Sequence, residues 1–179
     1  KVDAQEFQKL VEEYTALNNK DSYSNRQPEL IVHSLFEGDA IAEIDNLYFD
    51  LMGNVVDPAT GFMLIKSANT GLDVFNDGVN DHPGVYIKEF TNPQESPNMT
   101  SGMMALDHSS LDWTLTYDEM DYVIEGTLEF IVNGQKFTGH AGDSFYIPAN
   151  THVVFTTPNS CKFFFATYPA NWAELAGVK

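Results

Sequence analysis

The stretch Trp113-Thr-Leu-Thr-Tyr-Asp-Glu-Met-Asp-Tyr-Val-Ile-Glu-Gly126, followed by Gly142-Asp-Ser-Phe-Tyr-Ile-Pro148, decides the reading of this chain. Strand alternation places Tyr117, Glu119 and Asp121 on one face and Asp118, Met120 and Tyr122 on the other. Two carboxyls and a phenol facing an apolar interior are costly to bury unless hydrogen-bonded. Their mutual repulsion raises the pKa of one carboxyl toward a range useful for proton transfer. Tyr117, Glu119 and Asp121 are therefore candidate catalytic residues. The alternative is that the carboxylates cap loops, meet lysines or face water. Asp143 follows a glycine just before a strand and reads as ordinary turn chemistry.

Working outward, turn signals recur every several residues from Phe62 onward: Asn69-Thr-Gly71, Asn76-Asp-Gly78, Asp81-His-Pro-Gly84, Asn133-Gly134 and Pro158-Asn159 among them. Between them lie short runs rich in Val, Ile, Phe, Tyr and Thr, the pattern of an all-β sandwich or barrel. Asn133-Gly134, set between Leu128-Glu-Phe-Ile-Val132 and Gln135-Lys-Phe137, predicts a type I′ hairpin. The barrel is thus expected over residues 62–179. Residues 31–61 mix apolar and acidic side chains in a pattern that fits a short strand and a helical turn, expected to pack on the barrel as a lead-in segment. Over residues 1–30, Asp3 and Glu6 have capping-box spacing, and Phe7, Leu10, Val11, Tyr14 and Leu17 recur at helical intervals. This predicts an N-terminal amphipathic helix, then a linker rich in turn formers over 18–30. The helix stripe needs a partner surface, on the barrel, on a second subunit or on a larger assembly.

Composition narrows the function. A chain of 179 residues with 43% hydrophobic content supports one barrel-sized core. Against 9 basic residues stand 26 acidic ones, for a net charge of -17, and Arg26 is the sole arginine. Nucleic acid is excluded as an expected partner, because phosphate backbones are bound by clusters of Lys and Arg. The single cysteine, Cys161, permits no internal disulfide and favours a reducing, cytoplasmic setting. No apolar run approaches the roughly 18 residues of a membrane helix. His33, His82 and His140 lie in loop-type sequence and read as solvated. Met99, Met103, Met104 and Met120 read as core filler, and Trp172 as an anchor for the chain end.

The spacing from Glu119 to Gly126, with the turn at Gly142-Asp143 and Pro148, resembles the two motifs of cupin barrels, double-stranded β-helix jelly rolls that bind metal through a His-x-His pair, a Glu and a later His. Here Asp112-Trp-Thr-Leu115, where the His pair would fall, holds no histidine. Pro148-Ala-Asn-Thr-His152 is one residue shorter than the usual proline-to-histidine interval, which leaves open whether His152 points inward. The expectation is no native metal. If one is present, its ligands would be the irregular set His108, Glu119 and His152, too few imidazoles for a firm transition-metal site.

Within the cupins, Tyr117-Asp-Glu-Met-Asp121, Ile147-Pro148, Phe155-Thr-Thr-Pro158 and Tyr168-Pro-Ala-Asn-Trp172 resemble the EutQ ethanolamine-utilisation family, over about Phe62 to Trp172. The resemblance implies a homodimer, association with a bacterial microcompartment, a part in ethanolamine or aldehyde catabolism, and an acetate kinase activity. Carried over by position, its polar pocket would be Tyr117, Glu119 and Asp121. Phosphoryl transfer would bring Mg²⁺ as a cofactor, but this region has only Lys66, Lys88, Lys136 and Lys162 as cations and no phosphate-cradling Gly-x-x-x-x-Gly-Lys loop. Three readings follow: a metal-free cupin binding a small polar metabolite, a metal-dependent isomerase, lyase or dioxygenase, and a non-catalytic assembly protein that docks a shell or enzyme partner through its N-terminal helix.

Overall fold

The computed structural model describes Lys9, residues 42–44, 47–49, 54–57 and 59–178. The expected helix over 3–17, apart from Lys9, lies outside the described residues, as does His33. Two compact units divide the chain, Lys1–Gly71 and Leu72–Lys179.

The first unit contains an antiparallel meander of β1 (Ala42–Ile44), β2 (Leu47–Phe49), β3 (Val55–Val56) and β4 (Met63–Leu64). Of the short strand and helical turn expected between Ile31 and Met52, the described residues form the two strands Ala42–Ile44 and Leu47–Phe49, and the rest of the segment lies outside the described residues. Ile41, Ile44, Leu47 and Tyr48 sit at helix-like intervals. That spacing arises because Ile44 pairs with Leu47 across a two-residue connection, so apolar residues flank a hairpin turn rather than line a helix. Residues 62–71, read from sequence as barrel, fall in this first unit, since Met63 pairs with Val56 and Leu64 with Val55.

The second unit is the expected jelly roll. Its strands are β5 (Asp73–Asn76), β6 (Asp81–Glu89), β7 (Thr100–Asp107), β8 (Ser110–Leu115), β9 (Asp118–Val132), β10 (Gln135–His140), β11 (Ser144–Ile147), β12 (Thr151–Thr156) and β13 (Ser160–Tyr168). A short helix, α1 (Trp172–Ala176), follows the cis Tyr168–Pro169 bond. Pairing is antiparallel throughout. One sheet runs β5-β6-β7-β13-β9-β11 and the other β10-β9-β12-β8. The 15-residue β9 belongs to both: its first part pairs β13 and β11, and its second part pairs β10 and β12. Asn133 and Gly134 have φ of 51° and 77°, the two positive values a type I′ turn requires, and join β9 to β10 with Val132 opposite Gln135.

The crossover between sheets depends on a bulge. Cys161 pairs with Gly126 and Lys162 with Glu125, but Phe163 pairs with Val123, so Ile124 is the extra residue on β9. Buried positions accordingly change parity, from Glu119, Asp121 and Val123 before the bulge to Leu128 and Phe130 after it. Gly126 has φ of 73°, and a Cβ there would run into the Ser160 carbonyl oxygen. Gly134 has a similar φ but open space around it. Gly126→Ala should therefore destabilise the barrel by about 3 kcal/mol or more in urea unfolding, where Gly134→Ala costs about 1 to 2 kcal/mol from backbone conformation alone. Equal losses would show that the close approach to β13 does not constrain the strand.

Candidate functional site

Glu119 and Asp121 face the barrel interior at 5% and 1% exposure. Each is wedged between strands by register: Glu119 lies between Ile147 of β11 and Thr167 of β13, Asp121 between Phe145 and Phe165. The opposite face of β9 carries Met120 and Tyr122, both half-exposed, so the sequence alternation holds. Tyr117 is buried in the β8–β9 turn, and its hydroxyl accepts a hydrogen bond from Trp113 Nε1 at 3.2 Å. On the far side, the Trp172 ring leans on the Tyr117 ring at 5.5 Å, and its indole N–H donates to Glu89 Oε1.

Of these residues Trp113, Tyr117, Glu119 and Trp172 line a recess of about 20 Å³, together with Phe75 and Phe155 among others. That is room for one water-sized group. Among the described residues no donor meets four buried side-chain oxygens in this part of the barrel, Glu119 Oε1, both oxygens of Asp121 and Thr167 Oγ1, and the Glu119 and Asp121 carboxyls are left to hydrogen-bond each other through a retained proton. Burial without a counter-charge dictates the ionisation. Desolvation pushes the Glu119 carboxyl up to about 8. Asp121 is raised well above the ordinary carboxylate range, first by burial and then by the Glu119 charge. Burial also raises Tyr117, with Glu119 adding to the effect, and partial burial raises Glu89 against the opposing pull of the Trp172 donor. At neutral pH the pair therefore holds protons that free carboxyls would have lost, the condition under which a carboxyl can both donate and accept a proton.

Trp113, Trp172, Glu89 and Thr167 escaped the sequence reading as site residues. Trp113 stands within the segment where metal-binding relatives of this fold carry histidines, and it fills that space edge-on to Phe75 at 5.5 Å. Thr167 was findable, because Cys161, Phe163, Phe165 and Thr167 alternate with outward residues along β13. Trp172 was read as an anchor, and it does pin α1 to the barrel while also forming a wall of the recess.

The irregular metal set is not assembled. His152 lies on the outward face of β12, where Nε2 meets Asp112 Oδ1 at 2.9 Å. The one-residue shortening after Pro148 has turned it over, and Val153 takes the interior position. His108 sits in the β7–β8 turn with φ of 47°, exposed, its Nδ1 at 2.6 Å from Asp107. Among the described residues no group of three or more His, Cys, Asp or Glu is placed to hold a metal. Glu119 and Asp121 alone do not fit a transition-metal centre, which needs three or four ligands.

Other sequence expectations divide. Asp143 is structural, accepting the His140 backbone N–H at 2.8 Å. Met104 is core, but Met99 and Met120 are half-exposed, because Met120 lies opposite the carboxyl face. His140 is exposed, whereas His82 is half-buried, stacked on Phe75 at 5.4 Å and bonded to Asp77 at 2.8 Å. The buried Cys161 thiol is pushed up to about 11 by desolvation, which keeps it unreactive. A second hollow of about 290 Å³, lined by residues such as Phe130, Phe137 and Val153, is almost wholly apolar.

A jelly roll with this interior defines the class as a cupin. The model of the ethanolamine utilisation protein EutQ matches residues 46–174, and the chain belongs to that family. It is 42% identical over 90 residues to the acetate kinase EutQ of Clostridioides difficile strain 630, covering 50% of this chain and 57% of that one. The solved EutQ structure from Clostridium difficile shares 37% identity with a TM-score of 0.58, over 64% of this chain and 85% of that chain. A crystal structure of ethanolamine utilization protein Q from Salmonella typhimurium LT2 shares 29% identity with a TM-score of 0.60, over 66% and 94%. The chain spans about half the length of the curated relatives it matches. No helix among the described residues is long and apolar enough to cross a membrane.

Stability should record the buried pair. The folded Glu119 carboxyl titrates at about 8 against an ordinary 4.5, so the folded state holds the proton more tightly and stability falls as pH rises across that window. Glu119→Gln removes the penalty. Its melting temperature should exceed that of the parent by several degrees at pH 8.5 and by much less at pH 5. A difference that does not grow with pH would mean the carboxylate is compensated in the folded state.

Proposed function

We propose that this EutQ-family cupin binds a small polar metabolite of ethanolamine or aldehyde catabolism inside its barrel, with Glu119 and Asp121 sharing a proton as an acid/base pair and Tyr117 completing the polar wall. The observation that carries this reading is the set of unpartnered buried carboxyl oxygens beside the recess. A protein interior tolerates such groups poorly, each unmet bond costing about 1–3 kcal/mol, unless a guest completes them. No transition metal belongs to this reading.

The reading is tested on the full chain by calorimetric titration or turnover with two-carbon metabolites. Glu119→Gln should lower affinity or rate at least tenfold while the thermal unfolding transition stays cooperative. Unchanged affinity and rate in a folded variant would make the carboxylate structural.

A second reading, acetate kinase, is favoured by the names of the curated relatives. A recess of about 20 Å³ admits no nucleotide, so the phosphates would lie outside it and Mg²⁺ would have to offset the acidic walls. Acetyl phosphate formed from acetate and ATP, strictly dependent on Mg²⁺ and lost in Glu119→Gln, supports this reading. Formation that persists in the variant removes Glu119 from it.

The quaternary proposal is a homodimer. The outward face of β9 and β11 sets Tyr146 opposite Met120, with Tyr122 two residues along, all about half-exposed or more. An apolar row of this kind suits a self-complementary interface. Tyr122→Glu should shift the protein to monomer in sedimentation, with the strand content by circular dichroism unchanged. A dimer that survives the substitution places the interface elsewhere.

A further inference from the structure

We infer that Asn133-Gly134, the exposed two-residue turn joining β9 to β10, is a site of spontaneous backbone modification, where the Asn133 amide is lost and the chain is rerouted through an isoaspartyl linkage or left with an aspartyl side chain. The site lies apart from the barrel recess and does not rest on the metabolite reading.

Of all the asparagines in the chain, Asn133 alone precedes a glycine. Both residues are exposed, and a Cβ built on Gly134 would meet nothing within 4 Å. Among the described residues no hydrogen bond holds the Asn133 side chain, and the Gly134 N–H donates to no backbone acceptor. An electrophilic amide carbon and a backbone nitrogen therefore stand on adjacent residues, uncovered and uncommitted.

A single rotation brings them together. With φ of 51° and 77° at Asn133 and Gly134 the turn is type I′, in which the first ψ of about +30° keeps the Gly134 nitrogen off the side-chain carbonyl. Type II′ keeps the same φ at the first position but has ψ of about -120°, which swings that nitrogen onto Asn133 Cγ. Rotating the one peptide plane between the two residues converts the first turn into the second and leaves Val132 opposite Gln135. Both types suit the twist of a hairpin, glycine accepts either sign of φ, and the open space around Gly134 lets the plane turn.

The chemistry needs only water. The Gly134 nitrogen loses its proton to solvent hydroxide and attacks Asn133 Cγ. The new Cγ–N bond forms, the Cγ–Nδ2 bond breaks, and ammonia leaves after taking a proton from water, which restores the hydroxide. Water then opens the five-membered imide at one of its two carbonyls. Opening at the backbone carbonyl leaves an isoaspartyl linkage, and opening at Cγ leaves an aspartyl side chain. One water enters, one ammonia departs, nothing is oxidised or reduced, and one carboxylate joins a chain of net charge -17. The isoaspartyl form also adds a backbone carbon to the loop whose two-residue length sets the register of β10 on β9.

The β5–β6 turn holds a matched contrast. Asp77 also precedes a glycine, but its Oδ1 accepts from the Val79 and Asn80 N–H groups at 2.8 and 2.7 Å, and its Oδ2 meets His82 Nε2 at 2.8 Å. The Gly78 N–H is itself committed to Asn76 Oδ1 at 2.7 Å. Hydrogen bonds thus clamp one turn and leave the other free.

The test is incubation of the folded full chain at pH 8 over several weeks, with peptide masses, released ammonia and isoaspartate-specific methyl transfer as readouts. A gain of about 1 Da is expected on the peptide holding Asn133, with matching ammonia and isoaspartate. Its rate should fall within tenfold of that of the same chain unfolded in guanidinium chloride, because no local opening has to precede the attack. Asn133→Gln, with an unchanged melt, should abolish the gain at that peptide. Asp77 should form isoaspartate at least tenfold more slowly in the folded chain than in guanidinium chloride. Protection of Asn133 by more than tenfold in the folded chain, or earlier loss of ammonia from another asparagine, overturns the inference. So does isoaspartate appearing at Asp77 as fast as at Asn133 in the folded chain, since the clamped turn and the free one would then behave alike.

Discussion

The single bulge in β9 governs the arrangement of this molecule. Because one strand serves two sheets, its side chains must turn from one interior wall to another, and the extra residue at Ile124 with the left-handed backbone at Gly126 makes that turn. Before the bulge the inward positions are Glu119, Asp121 and Val123, and after it they are Leu128 and Phe130. The polar recess and the aromatic packing of Phe130 against Phe145 and Phe155, at 4.8 and 4.7 Å, are thus two halves of one strand. Moving the bulge by one residue would reverse the faces and expose one set to water.

The recess sets two tendencies against each other. Desolvation opposes ionisation of Glu119 and Asp121, and no positive charge among the described residues offsets it. Aromatic walls exclude water and strengthen every electrostatic interaction inside, including the unfavourable ones. A site of this kind is held in place by its surroundings: Ile147 and Thr167 flank Glu119, Phe145 and Phe165 flank Asp121, and Gly102 leaves the space on β7 into which the Phe165 ring fits. Stability given up at the carboxyls is recovered by the surrounding hydrophobic core, the usual relation between a functional site and its scaffold.

Much of this was legible in the sequence because period-two alternation and turn chemistry are local. Alternation groups Tyr117, Glu119 and Asp121 on one face, the match of Glu119 to the cupin motif turns that face inward, and Asn133-Gly134 dictates its own hairpin. The outward turn of His152 was half legible: the shortened interval after Pro148 signalled a change, but only the pairing of β12 with β8 decides which way the ring faces. Glu89 could not be read, since its place beside Trp172 depends on contact across 83 residues of chain. In the segment before the barrel, the apolar residues Ile44 and Leu47 flank a tight hairpin at nearly the helical interval, so spacing alone does not separate the two forms.

Trp172 gives α1 a kinetic meaning. The five-residue α1 contributes one fully packed side chain, and that side chain is a wall of the recess. A five-residue helix held by one buried side chain opens more readily than barrel strands. Bulk solvent, protons and any guest would then share one doorway, and the pace of traffic through it would be set by the lifting of α1 rather than by breathing of the sheets.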